Sequence, residues 1–558
     1  MKKQLTLLAL FISVIASSQQ FQNPLYIPDT LMGKNFQLFI SDSSHQFIPG
    51  VNTSTMGYNG SYMGPILIFE KNATVNISVV NALNEGTTVH WHGMEVEANV
   101  DGGPHNIIDD SSSWFPSFKV RDNAATMWYH SHLHKQTQRQ VNMGLAGMII
   151  IRDSSSKQLS IPSEYGKDDF PIILQDKTFD SLGQINNDAL LGDTFLINGT
   201  LSPYLNTPAQ NVRFRLLNAS IQRIYNIGFE DNRDFQVIAT DNGFLESPVK
   251  VNRLMIASGE RYEIVADFTN DLSDTLALVN YSSEMGYGFL GGIPGGDVYP
   301  SPLNGVDKDL MKLRITAPTA NKVDSISTVL TTHVIPSMSS VSRERYKKLG
   351  GKAQGGNIIW NINNTSFSMS VINDTVISGS TEIWEIRNST HFVHPFHIHS
   401  GHFFLIENDS MPPTVIESGK KDVILVRPNT TVKFIMEFPD FHDAQIPYMY
   451  HCHMLDHEDG GMMAQFIIVD SSYLMSTRFP EANESINVWP NPVDGFVRFE
   501  IELADAKWQI HDLKGRLITK GDCRNGVNQI ETTKLFSGSY ILSISTDKGT
   551  SRTRFIKI

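Results

Sequence analysis

The chain has 558 residues, too many for one hydrophobic core, and this length predicts roughly three to four domains. Charged residues make up 18% and hydrophobic residues 41%, and the 40 glycines and 25 prolines favour β-rich globular domains with frequent turns. The formal net charge of −13, with no basic block, argues against nucleic acid as a partner.

Residues 1–18 have the pattern of a secretory signal peptide. Lys2 and Lys3 form a short basic region, residues 7–15 a mostly apolar core, and Ala16-Ser17-Ser18 a cleavage site of small residues. This apolar run, like every later one, is shorter than the roughly 18 residues that a membrane-spanning helix needs. We therefore expect a soluble, exported protein with no transmembrane segment.

Residues 19–155 form the first predicted domain, which is built from β-strands. Residues 65–70 and 73–81 have strand character on either side of a short turn. Two His-x-His pairs follow, one in Val89-His90-Trp91-His92-Gly93 and one in Tyr129-His130-Ser131-His132. An apolar strand is predicted at 147–151.

Residues 156–320 form a second predicted β domain. Residues 211–219 and 261–268 alternate as strands do. No histidine lies between His134 and His333. We therefore predict that this domain is a spacer or a wall and donates no metal ligand.

Residues 321–472 return to the pattern of the first domain. Tyr129-His130-Ser131-His132 matches Tyr450-His451-Cys452-His453, and His90-Trp91-His92 matches His397-Ile398-His399. The first and third domains are therefore predicted to be copies of one repeat, in which Ser131 takes the position of Cys452.

Residues 473–485 are polar and irregular, as a linker is. Residues 486–558 then form a small unit of a different kind, with strand and turn segments and no metal-ligand cluster. It opens on Trp489-Pro490-Asn491-Pro492 and ends on a basic, alternating stretch at 552–558.

The four His-x-His pairs are the strongest chemical signal in the sequence: His90/His92, His130/His132, His397/His399 and His451/His453. Residues i and i+2 of a strand face the same side, so each pair offers two imidazoles to one place. If the first and third domains face each other, eight nitrogen ligands suffice for a cluster of about three metals with positions open for a small molecule.

Cys452 lies between two of these histidines, so its side chain points to the opposite face of the strand. Together with His394, His457 and a weak axial thioether from Met462 it makes the ligand set of a blue-copper electron-transfer site. Strand geometry places the two metal sites about 12 Å apart.

These four segments resemble the ligand motifs of the multicopper oxidases, the family of laccases, bilirubin oxidases and bacterial copper-efflux oxidases. The resemblance covers most of the chain between the signal peptide and the linker, and all twelve ligand positions match. It implies three cupredoxin-like Greek-key β-barrels and four copper ions. The implied ligands are His394, Cys452, His457 and Met462 for the type 1 copper, His90 and His397 for type 2, and His92, His130, His132, His399, His451 and His453 for the type 3 pair.

The resemblance also implies a reaction. One-electron oxidation of a reductant at the type 1 copper is coupled to four-electron reduction of O₂ to water. Asp101 and Glu458 resemble acidic positions that relay protons in the copper-efflux branch of the family, and acids beside a proton-consuming site are candidates on chemical grounds.

The sequence departs from the copper-efflux branch around the type 1 site. Thr390 and Phe392 stand where Cu(I) oxidases of that branch carry an Asp and a Met, and their Met-rich insert has no counterpart. These departures favour a phenolic or aromatic reductant. A metal ion is the other candidate reductant. The alternative function is a copper-resistance protein that oxidises or sequesters Cu(I).

Residues 486–558 resemble the C-terminal sorting domain of the type IX secretion system of Bacteroidetes. The resemblance is carried by Trp489-Pro490-Asn491-Pro492, Asp512-Leu513-Lys514-Gly515, Gly538-Ser539-Tyr540 and the basic end. It implies export through the periplasm to the cell surface or the medium, secretion machinery as a partner, and cleavage of this domain. The alternative interpretation is that residues 486–558 form an ordinary accessory β-domain.

Overall fold

A computed structural model describes residues 21–293, 299–355, 357–471, 487–501, 506–512, 515–546 and 549–558. The predicted signal peptide (1–18), the predicted linker (473–485) and residues 513–514 of the sorting-domain turn lie outside the described residues. The chain divides into two compact units, with the boundary after Val469.

The larger unit begins with two packed β-sheets. One contains, in spatial order, Thr30–Met32, Ile66–Glu70, Ala146–Arg152, Ala125–His130 and His90–His92. The other contains Thr53–Tyr58, Asn35–His45, Thr74–Asn81 and Ser113–Trp114, with Ser117–Lys119 also paired to Thr74–Asn81. Leu38 and Val79 from the second sheet pack with Trp91, Tyr129 and Ile149 from the first, and this core fixes the strand that carries the first histidine pair.

The middle of the chain forms a second pair of sheets. Its seven-stranded sheet has the order Thr200–Leu201, Thr194–Ile197, Asp169–Lys177, Asn211–Asn218, Arg261–Asp267, Phe235–Thr240 and Gly243–Val251. Its six-stranded sheet has the order Asn23–Pro24, Pro203–Pro208, Lys308–Thr316, Thr275–Asn280, Tyr225–Phe229 and Leu254–Ile256. The core between them includes Leu216, Ile227 and Leu313.

A third pair of sheets repeats the plan of the first. One sheet contains Asn357–Ile362, Val341–Gln354, Thr381–Asn388, Thr431–Glu437 and Phe403–Asn408. The other contains Asp374–Ile377, Met463–Val469, Asp443–Cys452, His394–Ile398 and Val423–Val426. Asp443–Cys452 lies between its two neighbours just as Ala125–His130 does in the first pair, so the sequence repeat is also a structural one.

Helices are few and short in the described ranges. Thr137–Met143 and Leu455–Asp459 are α-helices, and each follows a His-x-His pair. The 3₁₀ turns are Ala98–Val100, Ser156–Gln158, Ser282–Glu284, Met338–Ser340 and Ile416–Ser418. None of the helices in these ranges has the length and apolar character needed to span a lipid bilayer.

The smaller unit is a two-sheet β domain. One sheet contains Val488–Trp489, Phe496–Ile501 and Gly526–Glu531, and the other contains Leu517–Asp522, Lys507–Asp512, Gly538–Thr546 and Gly549–Lys557. Val497, Ile510 and Leu542 are fully buried in the core of this unit. The predicted all-β fold class is confirmed for both units.

Candidate metal centres

The four His-x-His pairs meet between the first and third pairs of sheets. His90 pairs with His130 across one sheet, and His397 pairs with His451 across the other, so each sheet presents two pairs side by side. The eight imidazoles are at most 2% exposed: His90, His92, His130, His132, His397, His399, His451 and His453.

Ring nitrogens from both domains converge on common points. His92 Nδ1 lies 3.3 Å from His130 Nε2 and 3.2 Å from His453 Nε2. A second group forms where His132 Nε2 lies 3.2 Å from His451 Nε2. A nitrogen of His399 lies within 4.8 Å of both members of that second group.

A third group is formed by His90, His397 and His399, whose nitrogens lie within 4.8 Å of one another. The Nε2 atoms of these three residues are buried and have no hydrogen-bond partner among the protein atoms. Buried polar atoms are normally satisfied, so unpartnered nitrogens facing one point indicate a ligand that the protein atoms do not supply. Groups of imidazole nitrogens suit copper, and the residues therefore fit the metal.

Hydrogen bonds at the outer edges of the rings fix which nitrogen faces the centre. Nδ1 of His90 donates to the Asp101 carbonyl at 3.0 Å, and Nδ1 of His397 donates to the Asp422 carbonyl at 2.9 Å. A carbonyl only accepts, so these nitrogens carry hydrogen and the Nε2 atoms keep free lone pairs. His92 is turned the other way, because its Nε2 lies 3.1 Å from a carboxylate oxygen of Asp422.

Burial keeps the imidazoles neutral. Desolvation, followed by the neighbouring imidazoles, lowers the pKa of His130, His132, His397 and His451 well below the ordinary value. Neutral imidazole is the form that binds metals, so this site is held ready for ligation at neutral pH.

The predicted mononuclear set lies on the other face of the same strand. Cys452 Sγ is 3.4 Å from His394 Nδ1 and 3.7 Å from His457 Nδ1, and the two Nδ1 atoms are 3.1 Å apart. Met462 is fully buried, and its carbonyl accepts from the Cys452 N–H at 3.0 Å. Burial raises the pKa of the Cys452 thiol, so the thiolate needs a bound cation to persist in this place.

Asp101 lies against the third group. Its Oδ2 accepts from His399 Nδ1 at 2.8 Å and lies 3.4 Å from His90 Nδ1. Burial would raise the pKa of Asp101, but the contacts with His399 and His90 outweigh it and lower the pKa below the usual range. Its Oδ1 is buried with no hydrogen-bond partner.

Glu458 lies behind the second group. Its two oxygens are 3.2 Å from His132 Nδ1 and 3.1 Å from His451 Nδ1. Burial, reinforced by Asp459, raises its pKa well above the ordinary value. The two predicted acids thus both touch the cluster, but their environments move their pKa values in opposite directions.

Sequence reasoning missed the contribution of the middle domain. Arg261 forms a bidentate ion pair with Asp422, at 2.7 and 2.5 Å, and both side chains are fully buried. Asp422 in turn contacts His92. The middle domain is predicted to be only a spacer or a wall, yet this arginine reaches a residue that holds a cluster histidine. Arg261 and Asp422 are 161 positions apart, and no local pattern in the sequence connects them.

Comparison with known proteins identifies the family. Profiles described as multicopper oxidase match residues 40–156, 170–287 and 339–472. The chain belongs to the multicopper oxidase family. The multicopper oxidase mco of Staphylococcus haemolyticus is 34% identical over 471 residues, which is 81% of this chain and 94% of that protein. The cell division protein FtsP of Escherichia coli K12 is 32% identical over 464 residues, with 81% and 94% covered.

A solved structure supports the same assignment for the fold. The laccase-like multicopper oxidase CueO of Ochrobactrum sp. superposes with a TM-score of 0.71 at 31% identity, covering 80% of this chain and all of that one. The predicted family and the cupredoxin-like fold are confirmed. Family membership makes the protein an oxidoreductase and implies copper as its cofactor.

The profile of a secretion system C-terminal sorting domain matches residues 487–558. This confirms the second predicted resemblance. The domain indicates that the protein is secreted or displayed at the cell surface.

Proposed function

We propose that this multicopper oxidase couples one-electron oxidation of a small reductant to four-electron reduction of O₂ to water. The proposed type 1 ligands are His394, Cys452, His457 and Met462. The proposed type 2 ligands are His90 and His397, and the type 3 ligands are His92, His130, His132, His399, His451 and His453, which gives four copper ions per chain.

One observation carries this proposal: the eight cluster imidazoles and the Cys452 set lie on opposite faces of one strand. His451 and His453 face the other domain, while Cys452 faces His394 and His457. A copper carrier without turnover needs only the Cys452 set. The second, larger set of buried nitrogens favours an O₂-reducing enzyme over a carrier.

Bound copper supplies the one-electron couple at the Cys452 set and the O₂-reducing centre at the eight histidines. The protein supplies position and access. Backbone and carboxylate acceptors fix the rings of His90, His130, His397, His399 and His451, and burial at 2% exposure or less keeps bulk water from the site. The two peptide bonds around Cys452 join the two sites covalently.

We assign proton relay to Asp101 and Glu458. Both oxygens of Glu458 and the Oδ1 of Asp101 are buried without a hydrogen-bond partner, and both carboxylates contact cluster histidines. Such an oxygen is free to take up a proton or a water molecule. Glu458 contacts the type 3 ligands and Asp101 contacts His399 and His90, so together they serve both sides of the cluster.

The reductant is proposed to be a phenolic or aromatic compound. At the type 1 site Thr390 Oγ1 lies 2.7 Å from His394 Nε2, so a neutral hydroxyl stands where a carboxylate would attract a metal cation. Phe392, two residues later, is half-buried and apolar. A metal ion, including Cu(I), remains the alternative reductant.

Oxygen consumption tests the function. The copper-loaded protein should show the intense blue colour of a type 1 site and should consume O₂ with a phenol, Cu(I), Mn(II) or bilirubin assayed in parallel. A protein that holds copper in both sites and consumes no O₂ with any of them contradicts the proposal.

The two cysteines provide a matched pair of variants. Cys452→Ser should lose the blue absorption and turnover while it keeps copper at the eight histidines. Cys523→Ser, in the separate C-terminal unit, should keep both properties. Retained oxidase activity in Cys452→Ser would overturn the assignment of Cys452.

We also propose export by the type IX route, through the periplasm of a Bacteroidetes-like cell, with loss of residues 486–558 on release. Fractionation followed by mass spectrometry of the intact chain tests this. A full-length chain confined to the cytoplasm contradicts it.

A further inference from the structure

Each histidine of the type 1 set has a hydroxyl group within hydrogen-bond distance of the ring nitrogen that faces away from Cys452. Thr390 Oγ1 lies 2.7 Å from His394 Nε2, and the Tyr299 hydroxyl lies 2.9 Å from His457 Nε2. With Nδ1 directed at the thiol, each Nε2 carries hydrogen and donates to the oxygen. His394 and His457 are both fully buried.

Tyr299 comes from the middle domain and is held on three sides. Its carbonyl accepts from Asn304 Nδ2 at 2.8 Å. Its ring packs edge-on against Phe392, with centroids 5.4 Å apart. Tyr299 is only 8% exposed and its hydroxyl contacts the fully buried His457, so the phenol ring covers the Nε2 side of that imidazole.

The free space beside Tyr299 is too small for a reductant. A cavity of about 30 Å³ is lined by Tyr299, Leu191, Phe392 and residues 288–292. A space of this size holds one or two water molecules and no aromatic ring. A phenol ring does not fit into this space, and the Tyr299 hydroxyl occupies the hydrogen-bonding position at His457 Nε2.

Aromatic and aliphatic side chains lie beside Tyr299 at the rim of this space. Phe289 and Phe392 are half-buried there, and Ile293 is exposed. Residues 288–293 are tied to the residue that precedes His394, because the Gly288 carbonyl accepts from the Val393 N–H at 3.0 Å. Aromatic side chains around a small depression suit a flat aromatic ligand.

We propose that Tyr299 determines which reductants the type 1 site accepts. Its phenol ring occupies the place on His457 Nε2, so an aromatic reductant docks on the outer face formed by Tyr299, Phe289 and Phe392 and makes no direct hydrogen bond to the ligand histidine. This inference rests on the proposed oxidase function.

Two substitutions separate the hydroxyl from the ring. Tyr299→Phe keeps the ring but leaves the His457 N–H without its acceptor, which makes the imidazole a weaker donor to copper and should shift the type 1 reduction potential to a more positive value. Tyr299→Ala should produce the same shift and also open space for the substrate. Redox titration of the blue absorption measures the potential without turnover.

Kinetics with two reductants of different kind then test specificity. Relative to Tyr299→Phe, Tyr299→Ala should raise kcat/KM for 2,6-dimethoxyphenol about tenfold, chiefly through a lower KM. With hexacyanoferrate(II), which needs no pocket, the two variants should agree within about twofold. Tyr26→Phe, at an exposed tyrosine far along the chain, is the matched control and should behave as the parent.

Copper content and melting temperature are measured for every variant, and Tyr299→Phe tests the potential even if Tyr299→Ala does not fold. An unchanged potential in Tyr299→Phe, or an unchanged phenol KM in a folded Tyr299→Ala, overturns the inference and leaves the oxidase function standing. A copper-loaded parent protein that consumes no O₂ with hexacyanoferrate(II), a phenol, Cu(I), Mn(II) or bilirubin overturns the proposed function, and the inference with it.

Discussion

Arg261 and Asp422 form a fully buried bidentate ion pair, at 2.7 and 2.5 Å, that ties the middle domain to the cluster of eight histidines. The same carboxylate lies 3.1 Å from His92 Nε2, and its backbone carbonyl accepts from His397 Nδ1. Asp422 therefore orients two cluster histidines and is itself oriented by Arg261 of the middle domain.

Replacing Arg261 should damage both stability and metal binding. Arg261→Gln leaves the buried Asp422 carboxylate without its cation, and breaking such a pair costs about 3–5 kcal/mol. With its support gone, Asp422 should hold His92 and His397 less well. We expect a lower melting temperature and a loss of copper from the cluster while the type 1 colour persists.

Arg253→Gln is the matched control for this prediction. Arg253 lies in the same domain and pairs with Glu284, but both side chains are partly exposed, and pairs of that kind contribute about 0–1 kcal/mol. Copper bound per chain and the melting temperature are measured for both variants. Full cluster copper in Arg261→Gln would show that Asp422 orients the histidines without help.

The candidate ligands can be predicted from the sequence because each pair is a local pattern. His451, Cys452 and His453 are consecutive, and strand alternation alone sends the cysteine to one face and the histidines to the other. The all-β fold class can be predicted in the same way, since short alternating segments recur along the chain.

The residues that support those ligands could not be predicted in the same way. Tyr299 contacts His457 across 158 positions, and Asp422 contacts His92 across 330. Their identities carry no periodicity and no motif. Only the packing of three domains brings them to the site, and that packing follows from long-range contacts that a single sequence does not show.

Glu458→Gln tests the proton relay. The amide preserves shape and size next to His132 and His451 but cannot take up and release a proton. We expect kcat for O₂ reduction to fall by about 100-fold, as for loss of a general acid–base group, with copper content unchanged. Anaerobic reduction of the type 1 site by hexacyanoferrate(II), followed by its blue colour, should proceed at the parent rate.

The control for Glu458 is Glu344→Gln, at an exposed position on the strand Val341–Gln354. It should leave kcat unchanged. A Glu458→Gln variant that reduces O₂ at the parent rate would refute the relay role, whatever its stability.

Gly259→Ala should disturb the cluster from the side of the middle domain. Gly259 has φ +85°, and a Cβ there would lie 2.9 Å from ring atoms of His453. The left-handed backbone costs an alanine about 1–3 kcal/mol, and the methyl group pushes on a ligand ring. We expect a lower melting temperature and reduced cluster copper.

Gly286→Ala provides the comparison, because a Cβ at Gly286 meets nothing within 4 Å and its φ is not positive. It should bind copper as the parent does. Equal copper content in the two variants would mean that His453 moves aside at no cost.

Asp122, which is not one of the proposed metal ligands, should make the stability of the protein depend on pH. Its carboxylate accepts from the Glu95 N–H at 3.3 Å, and burial, then the charge of Glu95, raises its pKa to about 7. Because the folded protein holds this proton more tightly than the unfolded chain, the stability is present at low pH and is lost as the pH rises through about 7. Asp122→Asn cannot ionise, so its melting temperature should fall less between about pH 5 and pH 8 than that of the parent.

The control is Asp110→Asn, at an exposed position, which should keep the parental pH dependence. An equally steep fall in Asp122→Asn would show that the Asp122 carboxyl does not titrate in this range.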